Sequence, residues 1–220
     1  TMGTTLAGIA FKPTRPVDDF RALVSKLCGE EAVALEQPVA GGFDIRDHAD
    51  AMVLVFGEVC FICNNDIAWG LLEKPASDVA FTHQALGCPD SFMAFCRYDS
   101  GGSYGYALVE KGERVRSRLQ TTDVPGLPPL IEFGEPLDSE KRWLAAPYYF
   151  EDEDGPEDER EKIFYQGEPA IEVPEYFLTS RMLDEALVSR FGVCPWNTDV
   201  KPVCHMFRLA RSRKPWWRLW

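Results

Sequence analysis

Ser91-Phe92-Met93-Ala94-Phe95-Cys96-Arg97-Tyr98, then Ser103-Tyr104-Gly105-Tyr106-Ala107-Leu108-Val109, then Glu113-Arg114-Val115-Arg116-Ser117-Arg118-Leu119 read as three successive strands. Asp99-Ser100-Gly101-Gly102 and Lys111-Gly112 supply the turns between them, because glycine takes positive φ at no steric cost. Neighbouring strands joined by tight turns form an antiparallel meander. Side chains alternate along a strand, so Arg114, Arg116 and Arg118 are expected on one face, with Val115 and Leu119 on the other. Arg97, on the adjacent strand, is expected to add to this cationic ribbon.

Working back from the meander, Ala51–Cys63 is the most apolar segment, with Gly57-Glu58 inside it. It reads as two strands and a turn, or as one long bulged strand. Gly8–Phe11 reads as a first strand, and Val33–Leu35 and Phe43–Ile45 as weaker ones. A helix is expected from Pro16, with Asp18 and Asp19 in its first turn and Gly29 as its stop. Asn64-Asn65-Asp66 caps a second helix through Trp69 and Leu72. Val79–Leu86 is open between helix and strand.

Toward the C-terminus, Pro125–Pro129 and Phe133–Pro136 read as loops. Thr179–Phe191 reads as a helix ended by Gly192, and Val203–Leu209 as a strand. Strands outnumber helices, which gives an α+β fold, mainly an antiparallel sheet with helices packed on one face. Residues 1–150 form its core. Glu151–Glu161 (EDEDGPEDERE) is an acidic linker or loop within 151–162. Residues 163–220 form a helix–strand extension packed on that core and ending in a basic, aromatic tail.

The 220 residues are 45% hydrophobic and 12% aromatic. A chain of this length buries roughly 70% of its unfolded surface and needs no metal or disulfide to hold a core. Its net charge of -12 argues against nucleic-acid binding, since phosphate contact needs clustered Lys and Arg. It suits a cytosolic protein kept soluble by charge, or one that meets a basic partner. The sequence has no apolar run of about 18 residues and no signal-peptide pattern at its start, so a cytoplasmic protein is expected and a membrane role is disfavoured.

Seven cysteines, Cys28, Cys60, Cys63, Cys88, Cys96, Cys194 and Cys204, show no framework spacing and are expected to be reduced core residues. Cys60-Phe61-Ile62-Cys63 has the CxxC spacing of zinc and redox sites. On a strand its thiols point to opposite faces, and a redox pair sits at a helix N-terminus, so core packing is favoured. Asp44, Asp47, His48 and Asp50 lie close together, but their spacing matches no metal-loop motif. No cofactor or metal is expected. The GxSxG, HExxH, GxxxxGK[ST] and GxGxxG patterns are all absent.

The arginine ribbon has two readings. One is an exposed sheet face paired across strands with glutamates. The other is a surface for an anion or an acidic partner, since guanidinium forks bind carboxylate and phosphate. The tail Arg211-Ser212-Arg213-Lys214-Pro215-Trp216-Trp217-Arg218-Leu219-Trp220 offers Trp216, Trp217 and Trp220 as anchors. It is expected to dock on the body of the protein or to join a second copy.

Tyr104-Gly105-Tyr106-Ala107, Lys111-Gly112, Val115-Arg116-Ser117, Gly134-Glu135-Pro136-Leu137 and Glu140 together resemble a hairpin signature of uncharacterised bacterial domains of unknown function. The resemblance covers about a sixth of the chain and departs at Leu119–Pro129. It implies a bacterial cytosolic protein in which Tyr106, Arg116 and Glu135 matter structurally.

Two functions follow as expectations. The first is a non-enzymatic protein-binding module, immunity-like or regulatory, with a basic partner. The alternative is a hydrolase or transferase whose Arg114, Arg116 and Arg118 hold a small anion, with Asp44, Asp47 or His48 as acid or base.

Overall fold

The computed structural model describes residues 3–36, 49–151 and 154–210. Its centre is β1 (Thr5–Phe11), buried along its whole length. Ile9, Ala7 and Phe11 face one apolar cluster, and Leu6 and Ala10 face the other. Gly8 sits where β1 crosses closest to its neighbour. A Cβ there would stand 2.3 Å from the Ile62 carbonyl oxygen, so only glycine fits.

On one side of β1 lies the hairpin β3 (Ala51–Phe56) and β4 (Val59–Cys63), turning at Gly57-Glu58. On the other side runs the meander β5 (Ser91–Tyr98), β6 (Ser103–Glu110) and β7 (Glu113–Gln120). A further edge strand, β8 (Leu130–Phe133), pairs with β7 where only loop was expected. β12 (Val203–Leu209) inserts between β3 and β2 (Ala32–Ala34). Among the described residues the result is one nine-stranded antiparallel sheet, in the order β2-β12-β3-β4-β1-β5-β6-β7-β8.

The class is the expected α+β. The helices, however, divide between both faces instead of covering one, because β1, β3, β4, β5 and β6 are apolar on both sides. α1 (Phe20–Cys28) and α2 (Asn65–Leu72) cover one face, with α3 (Ala80–Ala85) beside α1. α4 (Asp138–Leu144) and α5 (Leu178–Phe191) cover the other, with a second sheet ordered β11-β10-β9. These strands are β9 (Tyr148–Phe150), β10 (Lys162–Gln166) and β11 (Ile171–Pro174).

Local chemistry sets the helix ends. α1 starts at Phe20, later than Pro16, because the Asp19 carboxylate accepts from the Ala22 N–H at 2.9 Å and caps the helix from outside. Asn64 caps α2 in the same way through the Ile67 N–H at 3.1 Å. The Asp50 carboxylate accepts from the Leu209 N–H at 2.8 Å, and the Asp50 carbonyl accepts from Asn64, so Asp50 ties the β3 entry to β12 and α2. In the core under α5, Phe56, Phe61 and Phe95 meet edge to face, and each such ring contributes roughly 2–3 kcal/mol by burial.

Candidate functional site

The arginines of β7 do not share a face. Leu108 pairs with Arg116 and Val109 pairs with Arg114, so Val115 is an extra residue opposite the Leu108–Val109 step. This β-bulge interrupts the two-residue alternation and turns Arg114 to the α2 side. There Arg114 donates from Nη1 to the Leu71 carbonyl at 2.7 Å and from Nη2 to Ser77 Oγ at 2.9 Å. Gly134 supports the bulge. Its φ is 73°, and a Cβ would stand 2.0 Å from the Val115 carbonyl oxygen.

Arg116 and Arg118 point the other way, toward α4 and α5, and both are buried. The expectation of an exposed arginine face is therefore corrected: helices cover it. Arg116 Nε lies 3.1 and 3.0 Å from the two oxygens of Glu140, and its Nη2 lies 2.6 Å from Glu140 Oε1. Nη2 also donates to Glu132 at 2.7 Å, and Nη1 to the Gly134 carbonyl at 2.9 Å. Arg118 donates to the same Glu132 oxygen at 2.7 Å and from Nε to Thr179 Oγ1 at 2.8 Å. Thr179 in turn donates to Gln120 Oε1 at 2.6 Å.

Glu140 completes the network by accepting from the Leu137 N–H at 2.8 Å at the start of α4. The acid that serves Arg116 is thus Glu140, while Glu135 is exposed. Partial burial opposes ionisation of Glu132, but Arg116 and Arg118 outweigh it and hold the carboxyl below its ordinary range. Burial, and then the Glu140 carboxylate, push the Tyr106 hydroxyl well above its usual value. Chemically this is a lattice of charge-assisted hydrogen bonds joining β7 to β8, α4 and α5. Its forks are spent on the protein itself.

Arg97 is equally engaged. Its Nε lies 3.1 Å from Asp99, and its Nη1 lies 3.1 Å from Asp184. Its guanidinium carbon sits 5.5 Å from the Phe177 ring centroid and 5.3 Å from that of Trp196. Trp196 Nε1 donates to Asp184 at 2.8 Å. Burial raises the Asp184 carboxyl, with Arg97 and Trp196 pulling against it.

Cys60 and Cys63 fall in opposite apolar clusters, as their spacing requires. Burial pushes the Cys60 thiol up to about 11 and that of Cys63 higher still. Thiols raised in this way are protonated at neutral pH. His83 lies 3.0 Å from the Pro89 carbonyl, and His205 packs against Phe20. Among the described residues no group of three or more His, Cys, Asp or Glu is placed to hold a metal ion. No helix among them is long and apolar enough to cross a membrane. Asp44, Asp47, His48, the Phe43–Ile45 segment, Trp216, Trp217 and Trp220 lie outside the described residues.

One surface was missed by sequence reasoning. The small sheet turns Phe164 and Val173 to the core, so the intervening positions face outward. These include Tyr149 and Tyr165, 43% and 36% exposed, beside Glu172. The signal was the pair of aromatic runs, Tyr148–Phe150 and Phe164-Tyr165, flanking the acidic stretch. No protein-family model matches the chain, and neither a curated protein nor a solved structure matches it.

Proposed function

We propose that the chain is a non-enzymatic protein-binding module, immunity-like or regulatory, acting in the bacterial cytosol on a basic partner protein. The observation that carries this reading is the inward commitment of its best cationic cluster. Arg97, Arg114, Arg116 and Arg118 are bound to groups of the same chain, on two faces of the sheet. A hydrolase or transferase holding a small anion would need at least one of these forks free. With them withdrawn, a chain of net charge -12 presents acid to its surroundings. Acidic surfaces speed encounter with a basic partner and select it against others.

Capture of partners from bacterial lysate on the tagged chain, at low and at moderate salt, tests the reading. A stoichiometric basic protein, held at low salt and released at moderate salt, is expected. Absence of any captured protein at both salts would falsify it and return attention to small ligands.

A further inference from the structure

The outward face of the small sheet combines apolar rings with concentrated negative charge. Tyr149 and Tyr165 stand on adjacent strands with ring centroids 6.2 Å apart and planes inclined at 42°. The Tyr149 hydroxyl donates to Glu172 on β11 at 3.2 Å. Ile163, in register with Tyr149 on one side and Pro174 on the other, is 6% exposed, so the centre of this face is dry. Tyr176, at 53% exposure, lies two residues beyond the end of β11.

Charge around these rings is one-sided. Residues 148–177 contain eleven Asp and Glu against two cations, Arg160 and Lys162. Arg160 is directed elsewhere, and Lys162 reaches only Glu175 at one edge of the face. Arg160 Nε donates to the Gly155 carbonyl at 2.8 Å. Lys162 belongs to the inward face, with its Nζ 5.1 Å from the Tyr148 ring and 3.8 Å from Glu175. The carboxylates feel one another: burial, then Glu151 and Glu175, raise the Glu161 carboxyl. Desolvation, then Glu172 and Glu151, raise the Tyr149 hydroxyl. In both groups burial leads and the neighbouring carboxylates add to it.

We infer that this face, formed by Tyr149, Tyr165 and Glu172 and rimmed by Glu151, Glu161 and Glu175, docks an arginine-bearing surface of a basic protein. The inference rests on the protein-binding reading above and gives it a place. Guanidinium planes stack on tyrosine faces and fork onto carboxylates, and this surface offers both within one strand spacing. Tyrosine supplies rigid contact area at low entropic cost, which makes exposed Tyr pairs natural hot spots. The partner's arginines would lie over Tyr149 and Tyr165, with their forks on Glu172 and Glu151. The acidic rim would bring the partner in.

Two variants test it, Tyr149→Ala/Tyr165→Ala and the charge reversal Glu172→Lys at an exposed position that does not threaten folding. The first probe is a six-arginine peptide, titrated into the isotope-labelled chain at low salt and followed by NMR. The largest shifts are expected at Tyr149, Tyr165 and Glu172, with Glu172→Lys weakening binding about tenfold or more. Shifts centred on another acidic surface overturn the assignment.

The second arm repeats the lysate capture with each variant. Loss of the wild-type partner in both variants supports the docking face. Equal capture by wild type and both variants overturns the face while leaving the protein-binding reading intact. No captured partner at all overturns both. Deletion of residues 211–220 must leave peptide binding unchanged. A gain on deletion makes the chain's own basic tail the occupant and overturns the proposal. A concentration-dependent dimer abolished by the same variants does so in favour of a second copy.

Discussion

The Arg116 guanidinium and the Glu140 carboxylate meet at 2.6 Å in a site where the Glu140 side chain is wholly inaccessible and that of Arg116 is 2% exposed. The two residues lie 24 apart in sequence, one on the bulged strand and the other in the first turn of α4. Arg116→Ala leaves Glu140 buried without its cation, held by the Leu137 N–H, and is expected to cost about 3–5 kcal/mol. Glu140→Ala leaves Arg116 on Glu132 and the Gly134 carbonyl and is expected to cost less. The apolar double substitution Arg116→Met/Glu140→Leu is expected to recover much of that loss. Urea denaturation of the four proteins checks this. A loss below about 1 kcal/mol for Arg116→Ala would show that the surviving charge finds water or another partner.

The bulge at Val115 depends on a close backbone approach by Gly134. Gly134→Ala adds a Cβ that overlaps the Val115 carbonyl and forces a side chain into positive φ. A loss of about 2–3 kcal/mol is expected, seen as a fall in Tm of roughly 5–10 °C. An unchanged Tm would mean that β8 can move away from β7 without cost.

Acid stability should carry the mark of Glu132. Its folded-state pKa lies below the ordinary 4.5, so its stabilisation is complete above that value and is lost as pH falls through the folded value. Glu132→Gln is expected to be less stable than wild type at pH 7, with the gap closing in acid. Asp184 runs in the opposite direction. Its raised carboxyl favours the fold below 3.8, and that contribution disappears as pH rises through its folded value. The comparison must therefore be made between wild type and Glu132→Gln, by urea midpoints across the carboxylate range. A gap that stays constant down to strong acid would contradict the ion pairing seen here.

Thiol reactivity separates the cysteines. Cys88 is exposed, while Cys60, Cys63, Cys96 and Cys194 are buried. Burial, with acidic neighbours adding to it, pushes Cys28 up to about 12. A thiol reagent at pH 8 is expected to modify one residue quickly in the native protein, and all seven after unfolding. Cys88→Ala should remove the fast phase. A fast phase that persists in that variant would locate reactivity at a site the fold does not explain.

The meander was legible because its three strands are long, eight residues each, and are separated by glycine turns. The β3–β4 turn at Gly57 and the caps at Asn64 and Gly192 were legible for equally local reasons. What failed was the face of Arg114. Alternation assumes an unbroken pleat, and Glu113–Leu119 contains no glycine or proline to advertise the bulge; the cause lies 19 residues later at Gly134. The partner acids of Arg116 and Arg118 are likewise set by tertiary contact with β8 and α4. β8 was missed because its four residues, between Pro129 and Gly134, show too little periodicity to distinguish strand from loop. The outward tyrosines of the small sheet were hidden in the same way, by strands of three to five residues.

β12 enters the sheet at residues 203–209 and closes the flank of β3, whose residues 51–56 were made some 150 positions earlier. While the chain is being synthesised, the β3–β4 hairpin is ready long before the strand that will cover it. Its backbone donors and its Met52, Val53 and Leu54 side chains wait at an open apolar edge. A chain interrupted before residue 203 would keep its whole meander, yet would display a ready template for pairing with other chains. β12 is thus also a safeguard against aggregation, and the sheet cannot be complete until translation has passed it.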